Sequence, residues 1–344
     1  MNRLFFELLQ VALGTRDKLS RVPSAAEWGS LFEESFRQAV TGVMLDGIER
    51  LPAEQWPPLE LKLEWIGEVQ VLEAASQQNL KRTKELVSRF LAVGFESCVL
   101  KGVATARYYP HPMRRQMGDI DLWVKGRRKD VMAWLRSQFE IDHLVWHNVG
   151  VEFFEDVPVE VHFHPAWLYH PIHNWRLQRF FESEKNTQMT MRENGYAYTS
   201  VGFDAVYSLV HTYRHILTGG VGMRHVVDYY YICHHLDDHT RRSTTTILRR
   251  LGLARFAAAM MYVLSKTCRI SDEMLLCEPN EKEGEFLLHE IMAGGNFGQS
   301  RQDGMVRNTW RRYLVLLCHY PSEVLWIIPW KIWHRCWRSI HRNI

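Results

Sequence analysis

The sequence lacks the features that mark several specialised classes of protein. Its 42 Lys and Arg residues against 39 Asp and Glu leave a formal net charge of only +3. Proteins that bind nucleic acids usually concentrate basic residues on one face, so the charge provides no strong signal for such a partner. We find no internal repeat and no low-complexity segment. Hydrophobic residues make up 46% and charged residues 24%, as in a soluble globular protein of about two domains.

The six cysteines form no C-x-x-C pair. Their spacing excludes the usual zinc motifs and a disulfide framework, and we interpret them as buried free thiols in a reducing compartment. The apolar stretch at residues 1–14 is interrupted by Glu7 and Gln10, and no small-x-small cleavage site follows it. No run approaches the ~18 apolar residues needed to cross a bilayer. We therefore expect a cytoplasmic protein.

Hydrophobic periodicity divides the chain into three regions. Residues 1–92 form an N-terminal helical segment, in which Ser24 begins an S-A-A-E capping box. Residues 93–200 alternate short apolar runs at 98–100, 120–124 and 159–163 with helical spacing, which predicts a compact core with a small mixed β-sheet. Residues 201–344 again show helical spacing and form a C-terminal helical domain. The predicted fold class is α+β.

Three carboxylates fall on the predicted strands of this core. Asp119 and Asp121, in the sequence G-D-I-D-L, lie two apart and therefore project from the same face of a strand. Such a pair repels unless a cation lies between the two groups, although a D-x-D alone is more often solvated surface. Glu160 is flanked by valines in V-E-V-H, where a buried carboxylate without a partner would be costly. Two Mg²⁺ ions held by all three carboxylates would explain the set; Mn²⁺ is a possible substitute.

A possible phosphate-binding turn precedes the aspartates. Lys101 and Gly102 come after one predicted strand and before a short helix, an order that offers backbone N–H groups to phosphate oxygens. Lys101 and Arg115 could add positive charge. A simple tight turn at Gly102 and a surface position for Arg115 remain alternatives.

The order L-K-G, R-x-x-G-D-I-D-L and V-E-V-H over residues 100–162 resembles the DNA polymerase β-type nucleotidyltransferase superfamily. More closely, it resembles a large bacterial family of uncharacterised nucleotidyltransferase-like proteins. The resemblance extends to an H-x-x-x-H pattern at His211 and His215, to G-x-R-x-x-x-D at residues 222–228, and to G-G-N-F-G at residues 294–298.

This resemblance implies an enzyme that uses Mg²⁺ to move a nucleoside monophosphate from an NTP to an unidentified hydroxyl-bearing acceptor, releasing pyrophosphate. The metal ligands would be Asp119, Asp121 and Glu160, and Glu160 would help to activate the acceptor hydroxyl. We assign six further residues to nucleotide binding: Lys101, Gly102, Arg115, Gly118, His162 and Arg224. Superfamily members carry a serine after the loop glycine, where this chain has Val103. A catalytically silent nucleotide-binding or scaffold protein is therefore the alternative.

Several histidines and tryptophans allow two interpretations. His162 and His164 could bind zinc as in some hydrolases, but we favour a role for His162 in supporting the carboxylates or contacting substrate. His211 and His215, with Arg224 and Asp228, could line a cleft or form an interhelical network. The C-terminal stretch 326–342 alternates four tryptophans with basic residues. It predicts a helix that either packs on the helical domain or makes weak contact with an anionic membrane surface.

Overall fold

The computed structural model describes residues 3–190, 192–193, 195–295 and 309–341. Four helices begin the described chain: α1 (Arg3–Ala12), α2 (Ala25–Arg37), α3 (Thr41–Arg50) and α4 (Leu59–Ala92). The predicted capping box is present, because the Ser24 hydroxyl accepts from the backbone N–H of Glu27 and the Glu27 carboxylate accepts from that of Ser24. The 34-residue helix α4 continues from this helical region to the sheet.

The core region contains a five-stranded mixed sheet. Its elements are β1 (Glu96–Val99), α5 (Val103–Ala106), β2 (Ile120–Lys125), α6 (Arg128–Gln138), β3 (Ile141–Leu144), β4 (Asn148–Val151), β5 (Val159–His162) and α7 (Pro171–Thr190). The strand order is β1-β2-β5-β4-β3, and β2 runs parallel to β5 while the other neighbours are antiparallel. A small ribbon, β6 (Arg192–Glu193) with β7 (Tyr196–Ala197), follows. The predicted α+β fold is confirmed.

The remaining described elements are helices: α8 (Val201–Thr218), α9 (Met223–His234), α10 (Asp238–Arg250), α11 (Ala254–Cys268), α12 (Glu281–Gly294), α13 (Thr309–His319), α14 (Pro321–Val324) and α15 (Ile327–His341). No helix in the described part of the chain combines the length and the apolar character needed to span a membrane. Cys98, Cys233 and Cys268 are buried as expected. The expectation is wrong for Cys318 and Cys336, which α13 and α15 expose to solvent.

Two hydrophobic clusters lie on opposite faces of the sheet. On one face, Leu122 of β2 and Val161 of β5 pack with Phe90 of α4 and Leu135 of α6. On the other face, Trp123 stacks on Phe203 of α8, with ring centroids 5.6 Å apart. This second cluster also includes the buried residues of α1 and α11, so the N-terminal and C-terminal helices share one core. The three-region division made from the sequence stays a prediction. The α8 side of the sheet is the side that carries the candidate site.

Candidate active site

Strand register brings two of the predicted carboxylates together. Asp121 of β2 is the Cα partner of Glu160 of β5, and Trp123 is the partner of His162. Facing residues of neighbouring strands project on the same side of a sheet, so Asp121, Glu160 and His162 share one face. His162 Nε2 lies 2.8 Å from Asp121 Oδ1 and 3.3 Å from Glu160 Oε2. One ligand atom from each of the three side chains lies within 4.8 Å of the others, which is the spacing of a candidate metal centre.

The imidazole of His162 bridges two carboxylates in a buried position. Burial alone would lower its pKa, but the hydrogen bonds to Asp121 and Glu160 raise the pKa to about 9. Burial would likewise raise the pKa of Glu160, and the hydrogen bond from His162 lowers it below its usual range. Asn148 of β4 donates a further hydrogen bond to Glu160. The pKa of about 9 favours the imidazolium form of His162 at neutral pH, and this ring lies between Asp121 and Glu160.

A second cation, Lys101, neutralises Asp121 from the opposite side. Its Nζ lies 2.8 Å from Asp121 Oδ2 and 3.2 Å from His211 Nε2. Because an ammonium group only donates, His211 Nε2 accepts and the ring of His211 is neutral. Burial and the nearby charge of Lys101 both lower the pKa of His211, which agrees with this assignment. For Lys101 itself, burial would lower the pKa, but Asp119 and Asp121 raise it, so the residue stays charged.

Asp119 differs from the other two carboxylates. It lies one residue before β2, is half-buried, and accepts no hydrogen bond from the described part of the chain. It lines both of the cavities described below. This carboxylate is therefore available to an added ligand without the loss of an internal hydrogen bond.

The smaller cavity has a volume of about 40 Å³, which is room for a few water molecules or one small anion. Most of its polar lining comes from the predicted nucleotide-binding residues and from helices α8 and α9, among them Lys101, Gly102, Arg115, Gly118, His211, Arg224 and Asp228. The turn at Gly102 has φ +60°, a left-handed conformation that favours glycine. Since α5 has only four residues, its dipole adds little to the positive charge of this cavity.

The larger cavity has a volume of about 1030 Å³ and shares Asp119 and Glu160 with the site. Its charged lining is mostly acidic: Asp142, Glu152, Glu155 and Asp156 join the two site carboxylates, with His143 as the single basic-type side chain. The two cavities thus differ in electrostatic character, and Asp119 lies where they meet.

A buried ion pair joins the loop before β2 to helix α9. Arg115 donates from Nε and Nη2 to the two carboxylate oxygens of Asp228 at 2.7 and 2.8 Å, and the Tyr109 hydroxyl donates to the same carboxylate at 2.6 Å. Arg115 is 5% exposed, so the surface interpretation is excluded. Arg224 donates to the backbone oxygen of Gln116 at 3.0 Å. These contacts connect helix α9 to the segment that carries Asp119.

All nine predicted site residues lie in this region, at the carboxylate centre or around the smaller cavity. His164 lies outside the centre, with its ring stacked 4.2 Å from that of Trp146. His211 and His215 form a contact of 3.1 Å between their Nε2 atoms. Of the glycine-rich sequence at 294–298, residues 296–298 lie outside the described residues.

Sequence reasoning missed Asn148 and Tyr109. Asn148 is a polar residue that alternates with Val149 and Val151 along β4, so its period-two pattern could have placed it on the site face. No local signal marks Tyr109, because its partner Asp228 is 119 residues away.

Comparison with known protein families identifies a match. The sequence model of a protein family described as "Uncharacterised nucleotidyltransferase" matches residues 24–268. The match covers well over half of the chain and includes every predicted site residue. A search of curated proteins finds no match.

Proposed function

Since the chain belongs to this family of uncharacterised nucleotidyltransferases, we propose that it transfers a nucleoside monophosphate from an NTP to a hydroxyl-bearing acceptor, with Mg²⁺ as the metal. The observation that carries this proposal is the register of β2 and β5. It places Asp121 opposite Glu160 on one face, and Asp119 lies two residues earlier at the junction of two cavities.

The donor groups fit a divalent cation. Asp119, Asp121 and Glu160 supply the hard oxygen atoms that Mg²⁺ prefers, and the imidazole of His162 is a ligand compatible with Mn²⁺ only once it has lost its proton. Beside them, Asn148 Oδ1 is buried and has no hydrogen-bond partner among the described residues. A bound metal would supply positive charge to the phosphate oxygens and acidify the acceptor hydroxyl.

The charges of the two cavities suggest how the substrates bind. Lys101 and Arg224 line the smaller cavity, where their positive charge favours phosphate oxygens. The acidic lining of the larger cavity repels phosphates, and only that cavity has room for a sugar, a base and an acceptor. We assign one phosphate group of the nucleotide to the first cavity, and the sugar, the base and the acceptor to the second. Glu160, ionised at neutral pH, lines this second cavity and can accept the proton of the acceptor hydroxyl.

Two observations favour the alternative, a catalytically silent nucleotide-binding or scaffold protein. Lys101 and His162 already neutralise the carboxylates, and Val103 stands where the superfamily has a serine. The alternative predicts binding of nucleotide without turnover.

Asp119→Asn is the sharpest test, because this isosteric change removes a charge that makes no internal hydrogen bond. Calorimetric titration with Mg²⁺ and NTP should show binding to the wild type and at least about tenfold weaker binding to the variant. Asp17→Asn, an exposed carboxylate in the loop between α1 and α2, is the matched control and should bind as the wild type does.

A parallel incubation with NTPs and a metabolite extract should release pyrophosphate with wild type and control only. Equal Mg²⁺-dependent binding by all three proteins would contradict the proposed metal site. Binding that depends on Asp119 without pyrophosphate release would support the silent alternative.

A further inference from the structure

One face of α15 packs against the rest of the protein. Trp330 stacks on Trp167, with ring centroids 4.2 Å apart and planes 10° apart. His334 Nε2 accepts a hydrogen bond of 3.3 Å from the backbone N–H of Trp146. The guanidinium of Arg128 lies 4.6 Å from the ring centre of Trp337. These contacts hold the helix in a defined orientation.

Other apolar side chains of the same helical region are exposed to solvent. Trp326 and Trp333, seven residues apart and therefore on one face, are 39% and 43% exposed. Leu325, Ile328, Ile332 and Ile340 are also exposed, to between 49% and 69%. Single exposed apolar residues are ordinary, but a contiguous set of this size indicates a contact surface.

Helix α7 extends this surface. Trp175, 58% exposed, lines one groove together with Trp326 and Trp333, and the groove has a volume of about 480 Å³. Ile172 lies one turn before Trp175 and is also exposed. We call the surface formed by Ile172, Trp175 and the exposed apolar residues of 325–340 the tryptophan surface. The tryptophan surface combines residues of α7 and of the C-terminal helical region, so it forms only when the chain is folded.

The exposed charged side chains on the two segments that form the tryptophan surface, residues 165–181 and 324–340, are basic; Glu182, an exposed carboxylate, follows directly after the first segment. Lys331 and Arg335 are exposed and lie three and seven residues after Ile328, hence on the same flank of α15. Arg338 is also exposed on this helix, and Arg176 and Arg179 are exposed on α7. Residues 324–344 contain no Asp or Glu, and neither do residues 165–181. Glu323, at the start of this region, is buried and accepts hydrogen bonds from the backbone of Tyr169 and His170. No exposed carboxylate therefore offsets the basic residues on these two segments.

We propose that the tryptophan surface docks on an anionic lipid bilayer. Tryptophan rings lie favourably at the level of the headgroups, and aliphatic side chains reach the acyl boundary. Lys and Arg residues attract the negative charge of the lipid headgroups. The contact is peripheral, since the described helices include none that could cross a bilayer. Docking would hold the site near acceptors presented at a membrane.

Flotation of the full-length protein with lipid vesicles tests the proposal. Wild type should float with vesicles of phosphatidylcholine and phosphatidylglycerol in equal amounts, and should bind at least tenfold less to phosphatidylcholine alone. Trp326→Ser with Ile332→Ser removes apolar area, and Arg335→Gln with Arg338→Gln removes charge. Each pair should weaken binding at least tenfold, whereas Leu63→Ser with Val71→Ser, exposed apolar residues of α4, should leave it unchanged.

The same variants should bind Mg²⁺ and NTP as the wild type does, because the substitutions lie outside the site. Failure of the membrane proposal can therefore be distinguished from failure of the proposed function. Wild-type protein that stays unbound to anionic vesicles overturns the membrane proposal, and so does equal binding by wild type and both test variants. The proposal is also overturned if the wild type binds no vesicles and is a dimer in solution that becomes monomeric on Trp326→Ser with Ile332→Ser. That result would assign the tryptophan surface to contact with a second copy of the chain.

Discussion

Replacement of Asp228 by alanine should destabilise the protein by about 3–5 kcal/mol, because it leaves a buried cation without its counter-charge. Arg115 and Asp228 are 5% and 7% exposed and are joined by two hydrogen bonds of 2.7 and 2.8 Å. Arg224 lies nearby, and burial together with repulsion from Arg115 lowers its pKa. In the variant, Arg115 would keep weak contacts to the backbone oxygens of Gly102 and Gln116, at 3.4 and 3.5 Å. Because these oxygens partly satisfy its N–H groups, the expected loss lies toward the lower end of that range.

Equilibrium unfolding in urea, extrapolated linearly to water, measures this loss. Asp17→Ala is the control and should change the free energy of unfolding by no more than about 0.5 kcal/mol. The reasoning is refuted if Asp228→Ala costs less than about 1 kcal/mol, the net value of an ordinary hydrogen bond. Adding Arg115→Met to Asp228→Ala should recover part of the loss, because the unpaired charge is then gone.

The same variant should show a defined pH dependence. Burial raises the pKa of Asp228, but Arg115 lowers it further, so the folded-state pKa lies below that of the unfolded chain. The ion pair therefore contributes its full stability above about pH 4, the usual range of an aspartate, and loses it as pH falls through the lower folded-state pKa. The difference between wild type and Asp228→Ala should be constant near neutrality and shrink in acid.

Two further predictions concern the helices that precede the site. Gly42→Ala should prevent folding or lower the melting temperature strongly, because the added Cβ would lie 2.2 Å from the backbone oxygen of Arg114. In Gly67→Ala the added Cβ meets no atom within 4 Å, so this variant should stabilise α4 by about 0.5–1 kcal/mol. Equal thermal shifts for the two glycine variants would contradict this. Ser24→Ala should cost about 1 kcal/mol in urea unfolding by removing the α2 capping box, and an unchanged midpoint would mean that the cap is not used in solution.

Local patterns in the sequence were sufficient for much of the fold and for the composition of the site. The D-x-D spacing and the valine-flanked Glu160 predicted carboxylates on adjacent strands, and β2 and β5 are neighbours in the sheet. The capping box predicted the start of α2 to the residue. The ordered motifs also predicted the family, which the match over residues 24–268 confirms. These features depend on strand alternation, helix caps and short spacings, all of which act within a few residues.

Which side chains form ion pairs and hydrogen bonds with one another could not be predicted from such local patterns. Arg115 was recognised as a candidate cation, but its pairing with Asp228 joins positions 113 residues apart. Lys101 was assigned to phosphate, and the structure shows in addition its ion pair with Asp121 and its contact with His211, 110 residues away. In the C-terminal helix, tryptophan spacing was compatible with packing or exposure. The structure shows both, because Trp330 stacks on Trp167 whereas Trp333 is 43% exposed.

The sequence by itself determined that this protein has an α+β fold with a carboxylate-bearing sheet and belongs to a nucleotidyltransferase family, because the pattern of side chains along each segment sets which face is apolar and which is charged. Only the tertiary structure decided the register that sets Asp121 opposite Glu160, the position of the His162 ring between them, and the position of Asp119 where a basic and an acidic cavity meet. Those features arise when segments that are distant in the sequence pack together and exclude water. Their contribution to the free energy of folding depends on which charged groups become buried next to one another.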